Sequence, residues 1–485
     1  MTPAPPRGHT NRRCLGVPSR VRQVLSVMAE ARDDLDADTV HRLRVALRRC
    51  RSVSELLSEL DPHPAWSESR RLSRKLFARL GALRDAQVLR QWAEALASGD
   101  DASRKALLAT LGQREARARA RARRALGRFD QDAWQRLAAT LGRRARLVNP
   151  DGLALQCLAL QCFDDLRRRH DHALRGRQAE AWHRLRVALK RFRYAVETLL
   201  PRQQRMWNRD LRQAQDLLGW IHDLDVFRAF LRDGAPALTA RATAALRHAA
   251  RTSQAEYRTR YRALTEGTPS MLDTWRAGLP HGARIAAAVT ARLDATTRAL
   301  CPHPSRTARV TTIALALADR LTRNGLLHHG CQPPQRAVLR AAAQLHDVRR
   351  PGRGDHGHEP ALDTVRALTR PPGWTSTDWD AVARVIQAAA EHTRRSPATR
   401  SGPARQPLVH ALAAFLRLAR ALERAGATHR SRIRLERHTQ GWRLRVSGLS
   451  ASGARAEGLA DAMTALQPML RRPVRLVLSP QRPGA

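Results

Sequence analysis

Aromatic residues are scarce in this 485-residue chain, at 4% of positions, and lysine is scarcer still, confined to Lys75, Lys105 and Lys190. Platforms that bind single-stranded nucleic acid stack bases on aromatic side chains interleaved with cations, so the shortage counts against that class. The six cysteines, Cys14, Cys50, Cys157, Cys162, Cys301 and Cys331, include no CxxC pair. Neither a disulfide framework nor a zinc knuckle is signalled, and buried free thiols are expected. No stretch approaches about 18 consecutive apolar residues, and the N-terminal MTPAPPRGHTNRRC has no hydrophobic segment behind its positive charges. A cytoplasmic protein without a membrane partner is therefore expected. Acids are also in deficit: 43 Asp and Glu stand against 87 Lys and Arg, a formal charge of +44.

Arginine carries nearly all of that excess. Its guanidinium is a planar fork that pairs bidentately with phosphate oxygens, whereas an ammonium acts as a point charge. A GC-rich coding sequence favours arginine over lysine but does not produce a net charge of this size. Self-repulsion on this scale is costly unless an anionic partner offsets it, which directs attention to nucleic acid, anionic lipid or polyphosphate.

The first 290 residues contain a repeat. HRLRVALRRCR at positions 41 to 51 returns as HRLRVALKRFR at 183 to 193, and LGALRDAQVLR at 80 to 90 is echoed by LGWIHDLDVFR at 218 to 228. Two matches in the same order at nearly equal offsets indicate a duplication, with a joint at the turn-forming Asn149-Pro150-Asp151-Gly152. Alanine, leucine, arginine and glutamine dominate both halves, so each is expected to be a bundle of about four helices.

The repeated helix separates its chemistry by face. At about 100° per residue, Leu43, Ala46, Leu47 and Cys50 share one side, while His41, Arg44, Arg48 and Arg51 share the other, with Arg42 and Arg49 beside them. The second copy pairs an apolar stripe of Leu185, Ala188, Leu189 and Phe192 with a basic one of His183, Arg186, Lys190 and Arg193, flanked by Arg184 and Arg191. Further basic rows follow at Arg117, Arg121, Arg124 and Arg128, and at Arg247, Arg251, Arg258 and Arg262. Like charges one turn apart destabilise a helix by a few tenths of a kcal/mol per pair, a cost that an external anion would offset. A solvated surface stripe would explain one such face; two copies without an acid in either eleven-residue block favour binding. For His41 and His183 the functional reading is a donor that gains a proton when the anion arrives.

These paired HxxRVxxRRxR-like helices, each followed by an LGxxxD helix, resemble the conserved histidine α-helical domain, CHAD, over about residues 16 to 295. The resemblance implies two pseudo-symmetric four-helix bundles, about 16–148 and 153–295, around a basic groove. It also implies polyphosphate as ligand and association with polyphosphate granules. Carried over by motif, the contacts are His41, Arg44, Arg48, Arg49, Arg51, His183, Arg186, Lys190, Arg191 and Arg193; the further basic rows add Arg117, Arg121, Arg124, Arg251 and Arg258. Asp85 and Asp223 occupy the LGxxxD position, where a carboxylate orients an arginine rather than meeting the anion.

Beyond a flexible tail expected at 1–15, the remaining region, about 305–485, reads as helical with a β-containing end: the segment around Gln440-Gly441 alternates with period 2, and PVRLVLS at 473 to 479 reads as another strand. AAAQLHDVRR, with His346-Asp347, then His356, His358 and His392, resembles the HD-like C-terminal domain of exopolyphosphatase/guanosine pentaphosphate phosphatase proteins. An active HD phosphohydrolase needs an upstream His, the His-Asp pair and a distant Asp to hold a metal that activates water. Here Arg306 and Arg420 fall near the two outer positions, which predicts a site without metal or cofactor and a protein that binds rather than hydrolyses. The expected fold is thus mainly α, two repeated four-helix bundles and a helical HD-like domain. The expected function is polyphosphate binding; the alternatives are an HD-type phosphohydrolase and a nucleic-acid-binding protein, with weak nucleic-acid binding possible in any case.

Overall fold

The structure, a computed structural model, describes residues 16–96, 102–146, 152–176, 178–233, 238–267, 269–328, 331–349, 360–391, 407–428, 431–439, 441–449 and 457–480. The tail expected at 1–15 lies outside the described residues. The chain divides into two compact units, residues 1–289 and 290–485. It is mainly helical, with one small sheet near the C-terminal end. Among the described residues no helix is long and apolar enough to cross a membrane.

The first unit opens with α1 (Val17–Asp33), α2 (Ala37–Leu57), α3 (Pro64–Leu96), α4 (Ala102–Gly127) and α5 (Gln131–Ala145). It repeats with α6 (Leu153–Arg175), α7 (Ala179–Leu199), α8 (Pro201–Arg232), α9 (Ala240–Thr265) and the short α10 (Met271–Ala277). In each half four consecutive helices pack as neighbours, α1 to α4 and α6 to α9, as the duplication predicts. The halves differ at their ends, since α5 returns to pack on α1 and α3 whereas α10 lies against α9.

The repeated basic helices are α2 and α7, and their apolar stripes are buried as the periodicity requires: Leu43, Leu47, Leu185 and Phe192 are essentially inaccessible. Each such side chain contributes about 1.5–3 kcal/mol on burial, which fixes the rotation of the helix and turns the basic stripe away from the core. Asp36 caps α2, accepting a bond from the Thr39 amide at 2.6 Å, an interaction worth about 1 kcal/mol.

Apolar packing and ion pairs both join the halves. The end of α3 and start of α4, through Leu89, Leu107 and Leu111, share an apolar core with Phe227, Leu231 and Leu246 of α8 and α9. Ion pairs link α2 to α7: Arg49 Nε lies 2.8 Å from Glu197, and Arg191 lies 3.4 Å from Glu55 and 2.6 Å from Glu59. Arg49 and Arg191, like Glu55 and Glu197, are equivalent positions of the repeat, so these pairs follow its pseudo-twofold.

Helix α11 (Ala283–Leu300) begins in the first unit and ends in the second. The second unit contains α12 (Pro304–Arg323), α13 (Pro333–Leu345), α14 (Pro360–Ala367), α15 (Ser376–Glu391) and α16 (Pro407–Arg424). After these come β1 (Arg432–His438), β2 (Gly441–Leu449), α17 (Glu457–Leu466) and β3 (Val474–Pro480). Strands β1 and β2 pair antiparallel with Leu435 opposite Leu444, and β3 adds in parallel with Leu476 opposite Leu444. Gly441 has φ +133°, and a Cβ there would stand 2.8 Å from the Pro473 carbonyl, so the close approach of the chains requires glycine. Cys50, Cys157, Cys162 and Cys301 are buried free thiols, and burial pushes Cys50 and Cys162 up to about 12.

Candidate polyanion site

The buried stripes aim the basic faces of α2 and α7 toward each other and toward α3 and α8. Arg44 and Arg48 of the first repeat interact electrostatically with Arg186 and Lys190 of the second, and Arg84 of α3 joins them. Arg44 donates to the Phe77 carbonyl at 3.3 Å, and the Phe77 ring carries three guanidiniums, those of Arg44, Arg51 and Arg48 at 5.0, 5.2 and 5.7 Å from its centroid. Gly81, of the first LGxxxD motif, makes this placement possible: a Cβ there would lie 2.8 Å from Arg44 Nη1. Opposite, His183 and His222 approach Nδ1 to Nδ1 at 3.3 Å.

Cations this close depress one another. Burial and then Arg48 hold Arg44 down to about 10, and burial followed by Arg186 and Arg48 pushes Lys190 well below the usual lysine range. Burial, then Arg186, His183 and Lys190, lower His222 to about 3, and burial with Arg84 and Arg48 lowers His41. The Arg186 Nε is buried without a hydrogen-bond acceptor among the described residues. Asp85 and Asp223 supply the opposing charge, and burial raises Asp223 against the pull of Arg186 and Lys190. Two carboxylates thus face Arg44, Arg48, Arg84, Arg186 and Lys190. An anion with several oxygens placed here would relieve both the repulsion and the unmet donors.

The other residues read from the sequence make contacts of their own. Arg49 and Arg191 are held in the ion pairs between α2 and α7. Arg51 donates to the Arg70 carbonyl at 2.7 Å and to Ser73 at 3.2 Å. Arg193 lies over the Tyr194 ring and acts on Asp216 of α8. The flanking Arg42 and Arg184 form exposed one-turn pairs with Asp38 and Glu180, worth at most about 1 kcal/mol. Arg117, Arg121 and Arg124 are exposed along α4, as Arg251 is on α9, while Arg258 covers the Trp182 ring at 5.1 Å and neighbours Asp225 and Arg228. Arg84 and His222 escaped the sequence reading although a signal existed, since each directly precedes the aspartate of its LGxxxD motif.

In the second unit His346 donates its Nδ1–H to the Ala343 carbonyl at 2.8 Å, and burial, then Arg420, lower it to about 4 despite Asp347. Arg306 pairs with Glu423 at 2.8 Å. His356, His358 and His392 lie outside the described residues.

Among curated proteins no match is found. A crystal structure of the CHAD domain from the plant Ricinus communis is similar over 55% of this chain and 89% of that chain, at 26% identity and a TM-score of 0.41. Residues 18–232, the stretch that holds both copies of the basic helix and all the cations gathered between them, match the family model of the CHAD domain.

Proposed function

We propose that the first unit binds inorganic polyphosphate, without hydrolysing it, in the space shared by α2, α3, α7 and α8. The observation that carries this reading is the convergence of cations from both repeats, Arg44, Arg48 and Arg84 with Arg186 and Lys190, against only Asp85 and Asp223. Polyphosphate offers a row of charged oxygens and no bases, which suits a cluster whose Phe77 ring is already covered by arginines. The resemblance to CHAD implies the same ligand. A binding role also fits the second unit, where Arg420 and Arg306 act on His346 at positions that an HD hydrolase would give to metal ligands. Granule association in the cytoplasm belongs to the same reading.

Proton linkage supplies the test. In the free protein His222 is neutral down to about pH 3, and Lys190 is depressed by its neighbours. A bound polyanion favours their charged forms and raises both pKa values. Binding therefore takes up protons, and affinity rises as pH falls through the bound-state values toward the free-state ones. Calorimetric titration of the full chain with long-chain polyphosphate at pH about 6, close to the ordinary histidine value, in two buffers of different ionisation enthalpy, should show net proton uptake. Binding without uptake would contradict the assignment of the ligand to this cluster; no binding would contradict the function.

A further inference from the structure

A separate cationic cavity lies in the second unit, walled by Arg417, Arg420 and Arg424 of α16, Gly458 and Asp461 of α17, and Ala389 of α15. Its volume is about 130 Å³. The cavity opens to solvent and has ample room for one tetrahedral oxyanion.

The side chains are set for such a guest. Arg417 is anchored by its bond to the Ala388 carbonyl at 2.7 Å, and Arg424 donates to the Arg420 carbonyl at 3.4 Å and reaches α17, where a Cβ on Gly458 would meet its Nη2 at 3.7 Å. Arg420, between them, is half-buried and feels the Asp347 carboxylate, but its guanidinium makes no ion pair or hydrogen bond among the described residues. The nearest buried carboxylate on its own helix, Glu423, is 7% exposed and is occupied by Arg306 at 2.8 Å and Arg309 at 2.6 Å. The Asp347 charge offsets only part of the desolvation of this guanidinium, and an oxyanion in the cavity would supply the hydrogen-bond acceptors it lacks within the protein.

Asp461 decides which oxyanion. A carboxylate repels a fully ionised guest such as sulfate but accepts a hydrogen bond from the P–OH of a monohydrogen phosphate. We propose that this cavity is a binding site for one monohydrogen phosphate group, gripped by Arg420 with Arg417 and Arg424 and selected by Asp461. The group is either free phosphate or the terminal phosphoryl of a chain. The site stands on residues of the second unit and does not depend on the polyphosphate reading of the first.

Titration of the full chain with inorganic phosphate and with sulfate tests it. Phosphate should bind saturably and sulfate at least about tenfold more weakly, a difference of about 1.4 kcal/mol. Asp461→Asn should bring the two anions to about equal affinity. Arg420→Gln, with an unchanged circular dichroism spectrum, should lose the phosphate site. Tripolyphosphate competing at the Arg420-dependent site supports a chain end as ligand, and phosphate binding there without such competition supports the free ion. The proposal is overturned if wild type binds no phosphate, if it binds phosphate and sulfate alike, or if Asp461→Asn preserves the wild-type preference.

Discussion

Reversing Arg186 and Lys190 to glutamate should lower affinity for long polyphosphate by on the order of a hundredfold or more, taking about 1.5–3 kcal/mol for each charge-assisted hydrogen bond removed. The same double variant should keep the wild-type circular dichroism spectrum, since both positions lie opposite the buried Leu185 and Leu189. Burial and the charges of Arg48 and Arg44 destabilise the protonated form of Lys190, whereas Asp223 favours it. An unchanged spectrum beside a large loss of binding separates a ligand site from a structural cluster, because a structural cation would fail both tests. Chain length sharpens the comparison. A polyanion that touches Arg44 and Arg48 as well as Arg186 and Lys190 engages the second pair intramolecularly, so the affinity of long chains should fall further than that of short ones. The reciprocal variant, Arg44→Glu with Arg48→Glu, should behave alike, and removing each phosphate-binding cation should reduce the salt slope by about one. Wild-type affinity for long chains in either variant would dismiss the shared site.

Replacing Glu197 by alanine should destabilise the first unit by about 3 kcal/mol, the scale for breaking a buried ion pair from one side. Its side chain is 13% exposed and serves two guanidiniums, Arg49 at 2.8 Å and Arg20 at 3.3 Å. Both would be left partly buried without that partner. The pseudo-symmetric mate, Glu55, is 48% exposed and lies 3.4 Å from Arg191, which also holds Glu59 at 2.6 Å. Glu55→Ala should therefore cost less than about 1 kcal/mol. Urea denaturation of the two variants measures the difference. Equal losses of stability would show that the pairs between α2 and α7 do not hold the repeats together as the geometry indicates.

Much of this was legible in the sequence because local rules and tertiary packing agree. The 3.6-residue period of Leu43, Ala46 and Leu47 gave the buried face of α2, and repetition of the motif gave α7 and the number of bundles. The alternation around Gln440-Gly441 gave the β1–β2 pair. Partner identity was not legible. Arg49 looks like part of the basic face when only residues 41 to 51 are read, since its acid, Glu197, lies in the other repeat. Arg84 and His222 were missed for the converse reason: they are isolated on α3 and α8 and acquire meaning only where those helices meet α2 and α7. The apolar packing of Leu89 and Leu107 with Phe227 and Leu246 is likewise a property of two halves together.

The nature of the ligand is the central claim, and competition between polyphosphate and single-stranded DNA or RNA of equal charge, at about 150 mM salt where the screening length is about 8 Å, addresses it most directly. A cluster built from Arg44, Arg48, Arg84, Arg186 and Lys190, with the Phe77 ring already covered by guanidiniums, supplies charge for phosphates rather than a platform for bases. Polyphosphate should displace matched nucleic acid from the full chain, and nucleic acid should fail to displace polyphosphate. Equal competition would contradict the account and return the first unit to the class of general polyanion binders.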